Sequence, residues 1–379
     1  MPALQDRSIY LDNAAAVPCS AQTLEYFSDC ALQYPGNQES MGYHGSRSAA
    51  ALRNAAERLL AILKQPSDSV VFWENTGTGA LASAVECACR QIPPGSRIVT
   101  TLLEHPALEQ ALIRSARSHG LKLEFCPADK NGIRMDSLQA MLRAETALLA
   151  LHHVQSETGG IADLKTVRSL LDQQAGNALL LLDTIQSVGK LEIDPGIRPD
   201  LMVLSGQKLG APGGAAFLCR KKLSKQAGAL RSGDHFSGRC TPAAALTLLK
   251  CLEEALSHLP ENRLHAAELK KIFLQHLSQH KITYKETLPS EMVSPYICHI
   301  LVPPYQSAIL TRALHGSAIS IAPGSACESE TPGGSKVLTA MGYSKKDSFC
   351  GIRVSTWLQN TEEEMVKTAS EIAENIKNY

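Results

Sequence analysis

The sequence predicts an α/β protein: a mostly parallel central sheet with helices on both faces, followed by a smaller α+β domain. Three observations carry that expectation. Short apolar runs alternate with helix-period segments through the first two-thirds of the chain, that rhythm requires crossover connections, and the texture changes after about Cys240. The expected strands, in order, are Val70–Glu74, Arg97–Thr101, Lys122–Cys126, Ala147–Val154, Ala178–Asp183, Leu201–Ser205 and Ala215–Cys219, each bounded by polar or Gly/Pro punctuation. Between them Gly79–Arg90, His105–Ser118 and Lys165–Gln174 carry apolar residues at helical spacing.

Beyond Cys240 the pattern predicts long helices over Thr241–Leu259 and Glu261–His280, apolar stretches at Ser294–Val302 and Ala318–Ala322, and a final amphipathic helix over Thr361–Lys377. The expected division is a large domain over residues 15–250 and a small one over 251–379, joined by residues 1–14. One loop stands out. Pro323–Ser335 holds three glycines, three serines and two prolines in thirteen residues, a composition that favours a mobile surface segment.

Composition narrows the function. The chain has 379 residues, 44% of them hydrophobic and 20% charged, enough for a sizeable core. Lys+Arg and Asp+Glu both number 37, and this balance argues against nucleic-acid or anionic-membrane binding, which needs a basic excess. No apolar run approaches the roughly 20 residues of a membrane helix, and the N-terminus lacks a signal-peptide pattern. Eleven cysteines without a CxxC pair suggest neither a disulfide framework nor a zinc site, so reduced thiols, a cytoplasmic location and no bound metal are expected.

In parallel sheets ligands bind at the carboxyl ends of the strands, and four candidates fall there. Asn75-Thr-Gly-Thr-Gly-Ala80, with Gly77 and Thr78, offers helix N-terminal N–H groups and a hydroxyl to a phosphate. His105 opens a helix and could stack on a flat ring. Asp183 closes a wholly apolar strand, where a carboxylate is poorly placed without a cation such as a protonated pyridine nitrogen. Lys208, 25 residues later, precedes a glycine-rich turn and can reach the crevice, where desolvation makes an amine nucleophilic. Singly, each has a plainer reading as a turn, a cap or a solvated lysine. Their order is the layout of a fold-type I pyridoxal-phosphate enzyme.

At this point the chain resembles the class V aminotransferase group, and within it the NifS/IscS-like cysteine desulfurases. The likeness rests on Ile9-Tyr-Leu-Asp-Asn-Ala-Ala-Ala16, Thr101–His105, Asp183–Lys190, Ser205–Lys208, Gly324-Ser-Ala-Cys327 and Arg353-Val-Ser-Thr, and so covers nearly the whole chain. It implies that Lys208 binds pyridoxal phosphate covalently and moves protons at the substrate Cα. His105 would stack on the ring as an acid–base group, Asp183 would pair with the ring nitrogen, and Gln186 would bond the phenolic oxygen. Gly77, Thr78 and Ser205 would hold the phosphate, with Thr241 reaching it from the neighbouring subunit of a homodimer. Arg353 would fork onto the substrate carboxylate beside Asn13 and Asn37. Cys327 would attack the sulfur of bound L-cysteine, giving an enzyme persulfide for a sulfur-acceptor protein and releasing L-alanine. Iron–sulfur cluster assembly, tRNA thiolation and DNA sulfur modification are the implied destinations.

Two departures bear on this. Gln207 stands where the family has a histidine before the lysine, and can donate to phosphate but not carry a proton. Ser156 stands where an asparagine contacts the ring's oxygen and could serve with a shorter reach. Glu328 and Glu330 flank Cys327 and disfavour its thiolate, so activation would draw on a proton acceptor in the pocket such as His105. The alternatives are a class V transaminase, which has no need of a loop cysteine, a selenocysteine lyase, which would act on selenocysteine without it, and a weakly catalytic paralogue that binds within a sulfur-transfer complex.

Overall fold

In the computed structural model, residues 8–230, 240–324 and 334–377 are described. Cys327 and its two flanking glutamates lie outside them. Seven strands form the central sheet: β1 (Ser69–Glu74), β2 (Arg97–Thr101), β3 (Lys122–Cys126), β4 (Thr146–His152), β5 (Leu179–Asp183), β6 (Leu201–Ser205) and β7 (Ala215–Arg220). Their spatial order is β1-β7-β6-β5-β4-β2-β3. Only β7 runs antiparallel to its neighbours β1 and β6; the other pairings are parallel. Leu-Leu-Leu-Leu-Asp in β5 is apolar on both faces because both faces are covered, as parallel sheets require.

The covering helices include α1 (Ala21–Gln33), α2 (Tyr43–Ile62), α3 (Gly77–Cys89), α4 (Pro106–Ser118), α5 (Leu164–Gln174) and α6 (Pro242–Ser257). Helices α3 and α4 pack on one face, where Leu81, Val85, Leu108 and Leu112 meet Ile98, Leu148 and Val203. On the other, Leu52 and Leu59 of α2 join Leu248 and Leu252 of α6 against Met202, Leu204 and Leu218. Helices α1 and α2 were not expected. The expected α4 begins one residue late, because His105 is its N-cap and Pro106 its first helical residue. The helix expected over Thr241–Leu259 runs from Pro242 to Ser257, with the Thr241 hydroxyl accepting from Ala244 N–H at 3.2 Å.

The second layer system is smaller. A three-stranded sheet, β8 (Lys285–Glu286), β9 (Ile297–Leu301) and β10 (Gly351–Ser355), packs on α7 (Leu259–Gln279) and α8 (Glu362–Lys377). Of the stretch Ala318–Ala322 only Ile319–Ser320 forms a strand, and it pairs in parallel with Ile9–Tyr10. The first described residues of the chain therefore belong to this unit. Ile9 and Leu11 share its apolar cluster with Phe273, Ile352 and Ile372.

The glycine-rich turn after Lys208 is set by a close approach. Gly214 has φ +83°, and a Cβ there would lie 2.7 Å from the Ala244 carbonyl oxygen of α6. Gly214→Ala combines a left-handed penalty with that clash, and urea unfolding should show a loss of roughly 2 kcal/mol. An unchanged midpoint would mean the turn relaxes freely.

Candidate active site

The carboxyl ends of β2, β4, β5 and β6 open into one cavity of about 340 Å³. His105, Asp183, Gln186, Ser205, Gln207, Lys208, Gly77, Thr78, Ser156 and Arg353 all line it. The sheet's register explains the gathering: each strand delivers its last residue to the same edge, and the following turn carries the next few residues inward.

The phosphate end is built by backbone approach. Thr76 caps α3, accepting from Gly79 N–H at 3.1 Å and leaving the first-turn N–H groups of Gly77 and Thr78 without helical partners. A Cβ on Gly77 would meet Ile185 Cδ1 at 2.9 Å and Ser205 Cβ at 3.2 Å, so only glycine lets the helix start this close to β6.

Asp183 is enclosed. Ile185 N–H donates to its Oδ1 at 3.0 Å, and burial pushes its pKa up to about 6, with Glu104 adding to the rise and His152 and Lys208 opposing it. Half-buried Lys208 donates from Nζ to the Ala15 carbonyl, which aims the amine along the cavity. His105 is capped in an informative way. Its Nδ1 accepts from Ala107 N–H at 3.1 Å, so the neutral ring carries its proton on Nε2. Burial, then Lys208 and Arg353, lowers its pKa and keeps the ring neutral. His105 thus offers a donor to the cavity, and accepting a proton, the role expected of it toward the cysteine, requires breaking the Ala107 contact.

Gln186 is fixed from both ends. Its Nε2 donates to the Ala14 carbonyl at 2.7 Å while its Oε1 accepts from Lys190 Nζ at 3.3 Å. The amide orientation follows, leaving its second N–H for an acceptor. Lys190 is buried under the rings of Trp357 and Tyr296, at 5.3 and 6.0 Å, and burial followed by repulsion from Lys208 and Arg353 brings its pKa down to about 7. Arg353 is 4% exposed; Nη1 donates to the Ser156 carbonyl at 2.8 Å and Nη2 to Asp12 Oδ1 at 2.7 Å, which holds the guanidinium plane. Its Nε has no hydrogen-bond partner among the described residues.

Three expected site residues lie elsewhere. Asn13, expected beside the substrate, does not line the cavity: its amide nitrogen reaches the Tyr10 and Ser355 carbonyls and Asn360 Oδ1, at 3.3, 2.8 and 3.1 Å, tying the N-terminal segment to β10. Asn37 is exposed, accepts from Glu39 N–H at 3.0 Å, and lines a second cleft with Thr241. Neither reaches the cavity of its own chain. Sequence reasoning gave no role to Lys190, or to Glu104 and His152, which bond each other at 3.0 Å on the cavity wall.

The sequence pattern of the class V aminotransferases matches residues 9–367. The chain belongs to that family. Among its relatives, the cysteine desulfurase of Nostoc sp. is 24% identical over 389 residues, covering 97% of this chain and 94% of that protein. The cysteine desulfurase NifS of Azotobacter vinelandii is 24% identical over 371 residues, covering 96% and 91%. A solved NifS-like protein superposes with a TM-score of 0.86 at 20% identity, covering 98% of this chain and all of the other. The class V aminotransferase cofactor is pyridoxal phosphate. The cavity fits it: the Gly77–Ser205 approach makes room for a phosphate, the enclosed Asp183 lacks a cation of its own strand, and Lys208 supplies the amine. Among the described residues no helix is long and apolar enough to cross a membrane.

A raised carboxyl pKa has a stability cost with a definite sign. The folded apoprotein holds the Asp183 proton up to about pH 6 and the unfolded chain only to about 4, so this group's contribution worsens as pH rises between those values and stays unfavourable above them. Asp183→Asn removes the term. The variant apoprotein should be more stable than wild type at pH 7, by up to about 3 kcal/mol, and the gap should shrink toward pH 4 in thermal melts. A gap that widens on acidification would contradict the burial argument.

Proposed function

We propose that this class V aminotransferase is a pyridoxal-phosphate-dependent cysteine desulfurase, which converts L-cysteine to L-alanine and passes the sulfur, as a persulfide on Cys327, to an acceptor protein. The observation that carries the reading is the meeting of Lys208, Asp183, His105 and Arg353 in one cavity, in a chain whose relatives along nearly their full length are named cysteine desulfurases. Pyridoxal phosphate, when bound, supplies an electrophilic aldehyde and an electron-accepting ring.

The chain's residues divide the remaining work. Gly77, Thr78, Ser205 and Gln207 hold the phosphate, and Asp183 meets the ring nitrogen. Gln186, oriented by Lys190, and Ser156 face the phenolic oxygen. Lys208 carries protons to and from the substrate Cα, and the Nε2–H of His105 donates over the ring. Arg353 receives the substrate carboxylate through its Nε edge, the one left without a partner. The Cys327 thiolate attacks the substrate sulfur; an S–S bond forms as the carbon–sulfur bond breaks. The electron pair stays with the carbon fragment, which takes up a proton and leaves as alanine.

A homodimer is supported by Thr241 and Asn37, which share a cleft outside their own chain's cavity and would serve the neighbouring subunit's phosphate and substrate. The domain division at about residue 250, with residues 1–14 in the smaller domain, is supported by the separate apolar cluster around Ile9, Phe273 and Ile372. A cytoplasmic location and a role in iron–sulfur cluster assembly complete the proposal.

Two variants test it together. Lys208→Ala should lose the yellow colour and the cofactor mass trapped by borohydride. Cys327→Ala should retain both, yet release no sulfide from cysteine under reductant and carry no persulfide. Substantial sulfide from Cys327→Ala would remove the assigned nucleophile. Separately, Arg353→Lys should raise the KM for cysteine at least about ten-fold, because a point charge replaces a planar fork, with cofactor content unchanged.

A further inference from the structure

Behind Asp183 lies a hydrogen-bonded chain that the proposed chemistry does not use. Strands β4 and β5 are adjacent and parallel, with His152 directly opposite Asp183, and His153 N–H donates to the Asp183 carbonyl at 2.9 Å. His152 Nδ1 is 3.0 Å from Glu104 Oε1. The same oxygen accepts the Thr101 hydroxyl at 2.5 Å. Thr101 Oγ1 in turn accepts from Leu103 N–H at 3.1 Å, which commits its one proton to Glu104. Against an ionised Glu104, which can only accept, His152 would carry hydrogen on Nδ1. Thr101, Glu104, His152 and Asp183 are all buried.

The imidazole thus bonds Glu104, from the segment after β2, and is within charge-interaction range of Asp183, its register partner on β5. Burial lowers its pKa, but the Glu104 charge and hydrogen bond and the Asp183 charge outweigh burial and raise it overall. The charged groups acting on Asp183 are Glu104, His152 and Lys208. Glu104 alone would push Asp183 toward its neutral acid, which cannot pair with a protonated ring nitrogen. A cationic His152 near Asp183 opposes that effect.

We propose that Glu104 and His152 are positioning residues that hold a positive charge against Asp183, keeping its carboxylate ionised for the cofactor's protonated pyridine nitrogen. This rests on the reading of Asp183 as the ring-nitrogen partner. Glu104 anchors the imidazole, and Thr101 anchors Glu104. None of the three touches the reacting atoms.

The test measures binding rather than turnover. Apoprotein is titrated with pyridoxal phosphate and with its carbon analogue, in which CH replaces the ring nitrogen. Wild type should prefer pyridoxal phosphate. His152→Gln keeps a donor for Glu104 but cannot become cationic. It should weaken pyridoxal phosphate binding about ten-fold, the size of one charge-assisted contact, leave the carbon analogue within about two-fold, and so erase the preference. His152→Leu should do the same where it folds. Unchanged pyridoxal phosphate affinity in His152→Gln, or equal weakening of both compounds, would overturn the proposal, the latter marking a merely structural histidine. Wild type binding both equally would remove Asp183 as the ring-nitrogen partner, and wild type binding neither would instead overturn the assigned function.

Discussion

The register of three parallel strands governs the rest of this molecule. β4 and β5 end together and β6 runs two residues further, so His152, Asp183 and Ser205 are delivered to one edge of the sheet, and the turns that follow place Ser156, Gln186 and Lys208 around the same space. A slip of one residue in β5 would turn Asp183 to the opposite face, since successive strand side chains alternate. The apolar residues that hold this register, Leu179–Leu182, are packed on both sides. A carboxylate buried at the end of such a strand is tolerated because core packing on both faces leaves the strand nowhere else to go.

The cavity concentrates charge and compensates it in different ways. Arg353 is paired with Asp12, and Glu104 with His152, but Lys190 is stabilised by an amide and two aromatic faces. Burying such groups is costly, and each relies on hydrogen bonds or a ring to offset the lost hydration. Gln186 shows how this cost becomes geometry: a buried ammonium on one side and a backbone carbonyl on the other leave the amide a single orientation. The neutral, Nε2-protonated state of His105 arises in the same way, from burial, two nearby cations and a helix cap.

Much of the fold was legible because buried parallel strands are continuous apolar runs. All seven central strands lie where those runs fall, three with the same ends and four with ends shifted by one or two residues. Helices α1 and α2 were missed for a local reason: α2 starts at Tyr43-His-Gly-Ser after Gly42, a sequence that reads as loop, and its helical character depends on packing of Leu52 and Leu59 against the sheet. In the site, His105, Asp183 and Lys208 were legible by their positions at strand ends. The Glu104–His152 pair was not, because its members are 48 residues apart and meet only through the order of β2 and β4. Asn13 carried the right chemistry for a substrate ligand, but the pairing of its segment with β10 claims the side chain first.

That pairing also orders events in time. Asn13 and Ser355 are 342 positions apart, and Asp12 needs Arg353 from the same late stretch. A ribosome adding 5–20 residues per second takes roughly 20 to 70 seconds to join them. In the later part of that interval, after Arg220 completes the Lys208-bearing sheet, the nascent chain still lacks the arginine that closes the pocket, so the site is complete only once Arg353 has been added.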